Sequence, residues 1–297
     1  MPPTLAPHLT ISSTPTPLTT ALLFLPTPTH PDPASSLLTI LTSFPSIRFV
    51  QLPMTGVDQF TPLIRSISTE RKIVFCCGKK CFGQVVAEHA LALSLSLLRG
   101  LHCTPPSTAG EVETLFDARV LIIGSGSIGS SLVSQLQPFR CQITCLDSST
   151  GESLLRSSLE TAQLIFLACP LTPATNLLLN AETLAHIHPF ARLINVARPQ
   201  LIHTPSLLTS LSQAKLHSAA LDLLTPPPQE LQGVMQTLVH EGRLLVTPHS
   251  GVPEKLIGGL LEGRIWGNLK NVVEWIDQGK KEQEVDWLGR IDEEKGY

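Results

Sequence analysis

Short apolar, β-branched runs alternate along the chain with stretches whose apolar residues recur every three or four positions, the pattern of strands separated by helices. In the second half the runs fall at 119–123, 142–146, 163–168, 192–196, 218–222 and 243–247. This regular β/α alternation implies a parallel sheet with helices on both faces and ligand sites at the carboxyl ends of its strands. The first half is less regular, with strand-like runs at Ala21–Leu25, Arg48–Leu52 and Lys72–Cys76 and a helical stretch at Ala34–Leu41. A long helix is predicted from Gln84 to Leu98, stopped by Gly100. A second runs from Glu254 to Ile276, with Ile257, Leu261, Ile265, Leu269, Val272 and Ile276 on one stripe. Residues 1–20, rich in Pro, Thr and Ser, predict a poorly ordered or surface-hugging tail. Pro105, Pro106, Ser107 and Gly110 mark 101–117 as the clearest linker.

Composition narrows the class. At 297 residues the chain holds one large or two ordinary domains, and 42% hydrophobic residues with a net charge of −3 describe a soluble globular protein. Without a basic excess or a Lys/Arg cluster, nucleic acid is not an expected partner. The longest apolar stretch, Val85 to Leu98, is interrupted by Glu88 and His89 and is too short to cross a bilayer. The N-terminus carries no charged start and no Arg before Arg48, so a cytoplasmic location is expected. Seven cysteines, spread from Cys76 to Cys169, fit reduced thiols better than a disulfide framework. Neither Cys76-Cys77-Gly78-Lys79-Lys80-Cys81 nor His186-Ile187-His188 has a second ligand pair at metal spacing, so no metal is expected.

The strand-like run Val120-Leu121-Ile122-Ile123 leads into Gly124-Ser125-Gly126-Ser127-Ile128-Gly129, and an amphipathic stretch follows. Gly-x-Gly-x-x-Gly between a strand and a helix lets the backbone turn sharply and approach a pyrophosphate, which the helix N-terminus receives with free N–H groups. The next strand ends in Asp147, eighteen residues past Gly129, where a ribose-binding carboxylate is expected. The spacing points to a bound dinucleotide. With Asp147 at that position, and no Arg in Ser148-Ser149-Thr150, NAD is expected over NADP.

Further motifs follow in order: Val86-Ala87-Glu88-His89, Pro170-Leu171-Thr172-Pro173-Ala174-Thr175, Leu193-Ile194-Asn195-Val196-Ala197-Arg198, Ala219-Ala220-Leu221-Asp222 and Val246-Thr247-Pro248-His249-Ser250-Gly251. Together they resemble the D-2-hydroxyacid dehydrogenase family, from about Gln51 to Gly296-Tyr297. The resemblance implies a Rossmann-type doubly wound α/β domain (101–253) and a smaller, reduced flavodoxin-like substrate domain (1–100 plus 254–297). It also implies hydride transfer between NAD(H) and a small 2-oxo or 2-hydroxy acid, in a homodimer. Arg198 matches the arginine that holds the substrate carboxylate, and His249 the proton donor. Gly124, Gly126, Ser127, Ile128, Gly129 and Asp147 match cofactor contacts, as do Cys169, Val196, Ala197, Arg198, Asp222, His249 and Gly251. Thr55, in Leu52-Pro53-Met54-Thr55-Gly56-Val57-Asp58, matches a loop that meets substrate and nicotinamide. Glu88 and His89 are read as positioning their helix between the domains. The apolar circumference of that helix is a second reason to expect a dimer.

Three departures stand against this pattern. The family's catalytic glutamate falls on Pro227 when counted from Asp222, and near Glu230 when counted back from His249. Pro199 follows Arg198 where the family usually has Gly, biasing Arg198 toward an extended backbone. Only one helix fits between Leu25 and Arg48, so the first domain is trimmed. Retained Arg198 and His249 favour catalysis; the departures favour a non-catalytic, nucleotide-sensing protein on the same fold. Which 2-oxo acid is used is not legible, because the pocket walls come from the least regular part of the chain.

Overall fold

The computed structural model describes residues 2, 5–27, 30–103 and 112–293, so Pro105, Pro106, Ser107 and Gly110 of the expected linker lie outside the described residues. The chain divides into two compact units, one of residues up to Cys81 and from Glu254 onward, the other Phe82–Pro253.

The first unit is built on three short parallel strands, β1 (Ala21–Leu23), β2 (Phe49–Gln51) and β3 (Val74–Cys76), in the order β1-β2-β3. Alternate residues point to opposite faces of a strand, and both faces here are covered. Val50 and Phe75 join the core made with α1 (Pro33–Ser43) and α2 (Thr61–Glu70), through Leu37, Leu41, Ile64 and Ile67. Phe49 and Val74 face the other way, onto Val272 and Trp275 of α9 (Glu254–Ile276) and onto Trp287, which stacks on Phe49 at 5.4 Å. Helix α9 has the predicted bounds. Helix α2 was not expected, although Leu63, Ile64 and Ile67 carry helical spacing. Three strands in place of about five make this the trimmed unit the sequence implied. Residues 5–20 form turns and extended chain with only Leu5 buried.

The second unit carries α3 (Gly83–Arg99), β4 (Arg119–Ile123), α4 (Ser127–Leu136), β5 (Gln142–Leu146), α5 (Glu152–Thr161), β6 (Leu164–Leu167) and α6 (Ala181–Ala185). It continues with β7 (Arg192–Asn195), α7 (Thr204–Ser212), β8 (Ser218–Leu221), α8 (Gln232–His240) and β9 (Leu244–Val246). All six strands are parallel, ordered β5-β4-β6-β7-β8-β9. The chain steps outward from β4 to β5 and then resumes at β6 on the other side, so the order reverses at the carboxyl ends of β4 and β6. A doubly wound sheet binds its ligand at such a reversal.

The boundary at residue 100 is corrected. Helix α3 packs on α4 and the β7–β8 part of the sheet, so it belongs to the second unit. Its buried face (Val86, Ala87, Ala90, Leu93, Leu97, Leu98) is what ties it there. Gly100 ends it as predicted, in the left-handed conformation with φ 60°. Among the described residues no helix is long and apolar enough to cross a membrane, and no cluster of three or more His, Cys, Asp or Glu side chains is placed to hold a metal.

Candidate active site

The carboxyl edge of the six-stranded sheet gathers most of the motifs. At the end of β4, Gly124 has φ 120°, and a side chain there would press a Cβ to 2.5 Å from the Ala168 carbonyl carbon. A Cβ on Gly129 would run into the Gly124 carbonyl oxygen, whereas one on Gly126 would meet nothing. The turn is thus tight against the protein on one side and open on the other. Helix α4 starts directly behind it, and no side chain caps its first turn, so the N–H groups at Ser127, Ile128 and Gly129 are presented to an incoming anion. Asp147 closes β5; its Oδ1 accepts from the Ser149 amide at 2.9 Å and the Ser149 hydroxyl at 2.6 Å. Those bonds hold its carboxyl below the usual carboxylate range. A cradle that a Cβ would fill, an uncapped helix start and an ionised carboxylate at the neighbouring strand end fit a dinucleotide.

Further along the edge, β7 ends in Asn195, whose buried side chain folds the next three residues back on themselves. Its Oδ1 accepts from Ala197 N at 3.0 Å, and its Nδ2 donates to the Arg198 carbonyl at 3.0 Å. Val196 and Ala197 are buried in this turn. Arg198 is extended (φ −129°, ψ 140°), as Pro199 requires of its predecessor, and its Nη1 donates to the Ala197 carbonyl at 3.0 Å. Cys169, after β6, is buried, and burial pushes its thiol up to about 11.

Asp222, at the end of β8, organises the loop after β9. Its Oδ1 accepts from Thr247 Oγ1 at 2.7 Å, Ser250 N at 2.8 Å and His89 Nε2 at 3.1 Å, and its Oδ2 accepts from Gly251 N at 3.1 Å. Burial would raise this carboxyl, but the hydrogen bonds from His89, Thr247 and Ser250 outweigh it and bring it to about 2. The Asp222 carbonyl also accepts from His249 N at 2.9 Å. His249 itself is exposed, with φ 56°. A Cβ on Gly251 would stand 3.0 Å from Asp222 Oδ2, which explains the glycine there. Four donors use the acceptor capacity of a carboxylate, so Asp222 serves the chain's own loop.

This edge therefore unites Gly124, Gly126, Ser127, Ile128, Gly129, Asp147, Cys169, Val196, Ala197, Arg198, Asp222, His249 and Gly251. One expectation does not join them. Glu230 sits in a 3-10 turn ahead of α8, exposed, with no hydrogen bond or ion pair to His249; an acid at a helix start faces solvent and the helix dipole. Pro227 supplies no acid either. Thr55 belongs to the other unit, where its hydroxyl donates to the Gly78 carbonyl at 3.1 Å. His89, read from the sequence only as orienting its helix, bonds Asp222. A signal was present: it shares the buried stripe of α3 with Val86, Ala90 and Leu93, and a ring nitrogen on an apolar stripe needs a partner.

A doubly wound sheet with a glycine turn at its reversal and polar side chains gathered along one edge is the architecture of a dinucleotide-binding protein. The chain belongs to the D-isomer specific 2-hydroxyacid dehydrogenases: residues 103–251 match the model of that family's NAD-binding domain. A Corynebacterium melassecola protein known as "uncharacterized protein in proB 3'region" is 29% identical over 235 residues, covering 72% of this chain and 75% of that one. The D-specific alpha-keto acid dehydrogenase of Enterococcus faecalis is 28% identical over 187 residues, 56% of this chain and 58% of that enzyme. The fold is that of the D-isomer specific 2-hydroxyacid dehydrogenase of Xanthobacter autotrophicus Py2, solved with NADPH and MES, with a TM-score of 0.73 and 22% identity over 96% of this chain and 87% of that one.

Proposed function

We propose that this protein is an NAD(H)-dependent reductase of small 2-oxo acids, working in the sense of ketone to D-2-hydroxy acid. The observation that carries the reading is the placement of Arg198, Asp222 and His249 at the ends of the adjacent strands β7, β8 and β9, on the edge where the glycine turn follows β4. NADH bound at Gly124–Gly129 and Asp147 would supply the hydride. Arg198 pairs its guanidinium with the substrate carboxylate and polarises the neighbouring ketone. His249 gives its proton to the carbonyl oxygen. Asp222 holds the loop that presents His249. Residues 1–81 and 254–297 provide the substrate domain.

The deciding experiment is a panel of glyoxylate, hydroxypyruvate and longer 2-oxo acids with NADH. Turnover of at least one, abolished in Arg198→Ala and His249→Ala, supports the proposal; no turnover with intact NADH binding sinks it. The reading extends to a homodimer, supported by the half-buried Leu91 and Leu95 on α3 beside its fully buried face. A monomer mass in light scattering at micromolar concentration would overturn that part. It extends also to a cytoplasmic location, in keeping with seven free cysteines; recovery of the protein from a membrane or secreted fraction would contradict it.

A further inference from the structure

His89 lies 3.1 Å from Asp222 Oδ1 and 3.3 Å from Thr247 Oγ1, both through Nε2. The tautomer follows from the partners. An ionised carboxylate only accepts, and the Thr247 hydroxyl already gives its proton to Asp222 at 2.7 Å, so Nε2 carries the hydrogen and donates to both. The ring is 18% exposed and the carboxylate it meets 4%. His89 Cδ2 stands 3.7 Å from the place a Cβ would occupy on Gly251, so the ring also packs under the loop. Apart from Thr247 N, which donates to the Leu221 carbonyl at 3.0 Å, the polar anchors of that loop among the described residues lead to one residue: Thr247 Oγ1, Ser250 N and Gly251 N to the Asp222 carboxylate, and His249 N to the Asp222 carbonyl. His249 holds φ 56°, a left-handed conformation that a side chain other than glycine keeps only where its surroundings impose it.

The geometry points to His89 as a positioning residue for the reaction: by holding the Asp222 carboxylate, it keeps the 247–251 loop in the shape that presents His249. It touches neither His249 nor any reacting atom. The inference rests on the reading of His249 as proton donor. It gives α3, which stands outside the β/α alternation, a direct part in that chemistry.

The test compares His89→Leu, which keeps the bulk and loses the donor, with His89→Gln, whose amide nitrogen reaches the place of Nε2. Hydrogen exchange is followed by mass spectrometry on the ligand-free protein, in peptides covering the 247–251 loop and, as control, β4. The Leu variant is expected to lose roughly tenfold or more of the protection at Ser250 and Gly251, with β4 unchanged. Its kcat should fall by a similar factor, while the Kd for NADH stays within about twofold. The Gln variant should recover most of both. Wild-type protection in His89→Leu overturns the inference, as does equal loss in Leu and Gln, or loss spread through β4. If the wild type reduces no 2-oxo acid, the proposed function fails on its own and the exchange result still decides what His89 does.

Discussion

Two loops on one edge of the six-stranded sheet are held by opposite means. The turn at Gly124–Gly129 owes its shape to missing atoms: a Cβ at Gly124 or Gly129 would strike backbone, and no charge takes part. The loop at Thr247–Gly251 owes its shape to a buried carboxylate that collects donors from α3, from the strand end and from the loop itself. The first is rigid by sterics and indifferent to protonation. The second draws its hydrogen bonds to an Asp222 carboxylate held well below the usual carboxylate range. A cradle for a bound cofactor needs only a fixed shape. The loop that carries His249, the proposed proton donor, is held by electrostatics instead.

The contrast breaks hardest at Gly129. Gly129→Ala places a Cβ against the Gly124 carbonyl oxygen, and backbone has nowhere to rotate. NADH affinity is expected to fall by about a hundredfold or more, at a stability cost of about 1–3 kcal/mol. Fluorescence titration and thermal unfolding measure the two. An alanine variant that binds NADH normally would mean the turn is not sterically set.

Asp222→Asn probes the other loop. The asparagine NH₂ faces donors where an oxygen accepted, so kcat is expected to drop by roughly 10- to 100-fold. Because the carboxylate is already satisfied within the chain, NADH affinity should change only a few-fold. A collapse of NADH binding instead would return Asp222 to direct cofactor contact.

Acid sharpens the same difference. The Asp222 carboxyl is depressed from its ordinary 3.8 to about 2 in the folded protein. A depressed acid stabilises the fold fully above its unfolded pKa and loses that contribution as pH falls through the folded one. Wild type should therefore exceed Asp222→Asn by about 2 kcal/mol near neutrality, with the gap closing between about pH 4 and 2. The Gly129→Ala deficit should not vary across that range. Denaturant melts at several pH values test both, and a pH-independent Asp222 gap would show that ionisation does not hold the loop.

A smaller effect is expected at Asp147. Its Oδ1 is occupied by Ser149, and Oδ2 accepts no bond from the described residues. In the proposed role of ribose partner, this carboxylate would repel a 2′-phosphate. Asp147→Ala should weaken NADH several-fold and narrow the preference over NADPH; equal affinity of the wild type for both cofactors would remove Asp147 from that role.

The two loops also differ in what sequence reading reaches. β4, β5 and α9 have the bounds that apolar patterning predicts, because that pattern is carried by the element's own consecutive residues. The glycine turn was equally legible, since its sequence signature lies within six consecutive residues. The donor loop was legible in part. Its strand-end position and its histidine stood out, but the hub did not, because His89 and Asp222 are 133 residues apart and pairing across such a distance leaves no periodic trace. Helix α3 was placed with the wrong unit for the same reason: its apolar face showed that it needed cover and gave no sign of which sheet supplied it. Helix α2 escaped because its ten residues include Pro62, two serines and two threonines, which dilute a short apolar pattern.

The smallest effect is expected where sequence counting offered an acid for His249. Glu230 stands three residues past Pro227, and an insertion of that length could in principle have carried the family's glutamate with it. The fold sends it elsewhere. Pro228 and the 3-10 turn Gln229–Leu231 lead straight into α8, so Glu230 lies in the approach to a helix N-terminus, exposed, while His249 is anchored through its backbone to Asp222. An exposed carboxylate at a helix start gains little beyond a weak interaction with the helix dipole. Glu230→Gln should accordingly leave kcat within about twofold of wild type, and the alkaline limb of the pH–rate profile should not move. The same profile in Asp222→Asn serves as the internal comparison. A shift of the limb to lower pH in Glu230→Gln, with Asp222→Asn unshifted, would mean that Glu230 reaches His249 during turnover and that the charge governing the His249 loop comes from the turn ahead of α8 rather than from Asp222.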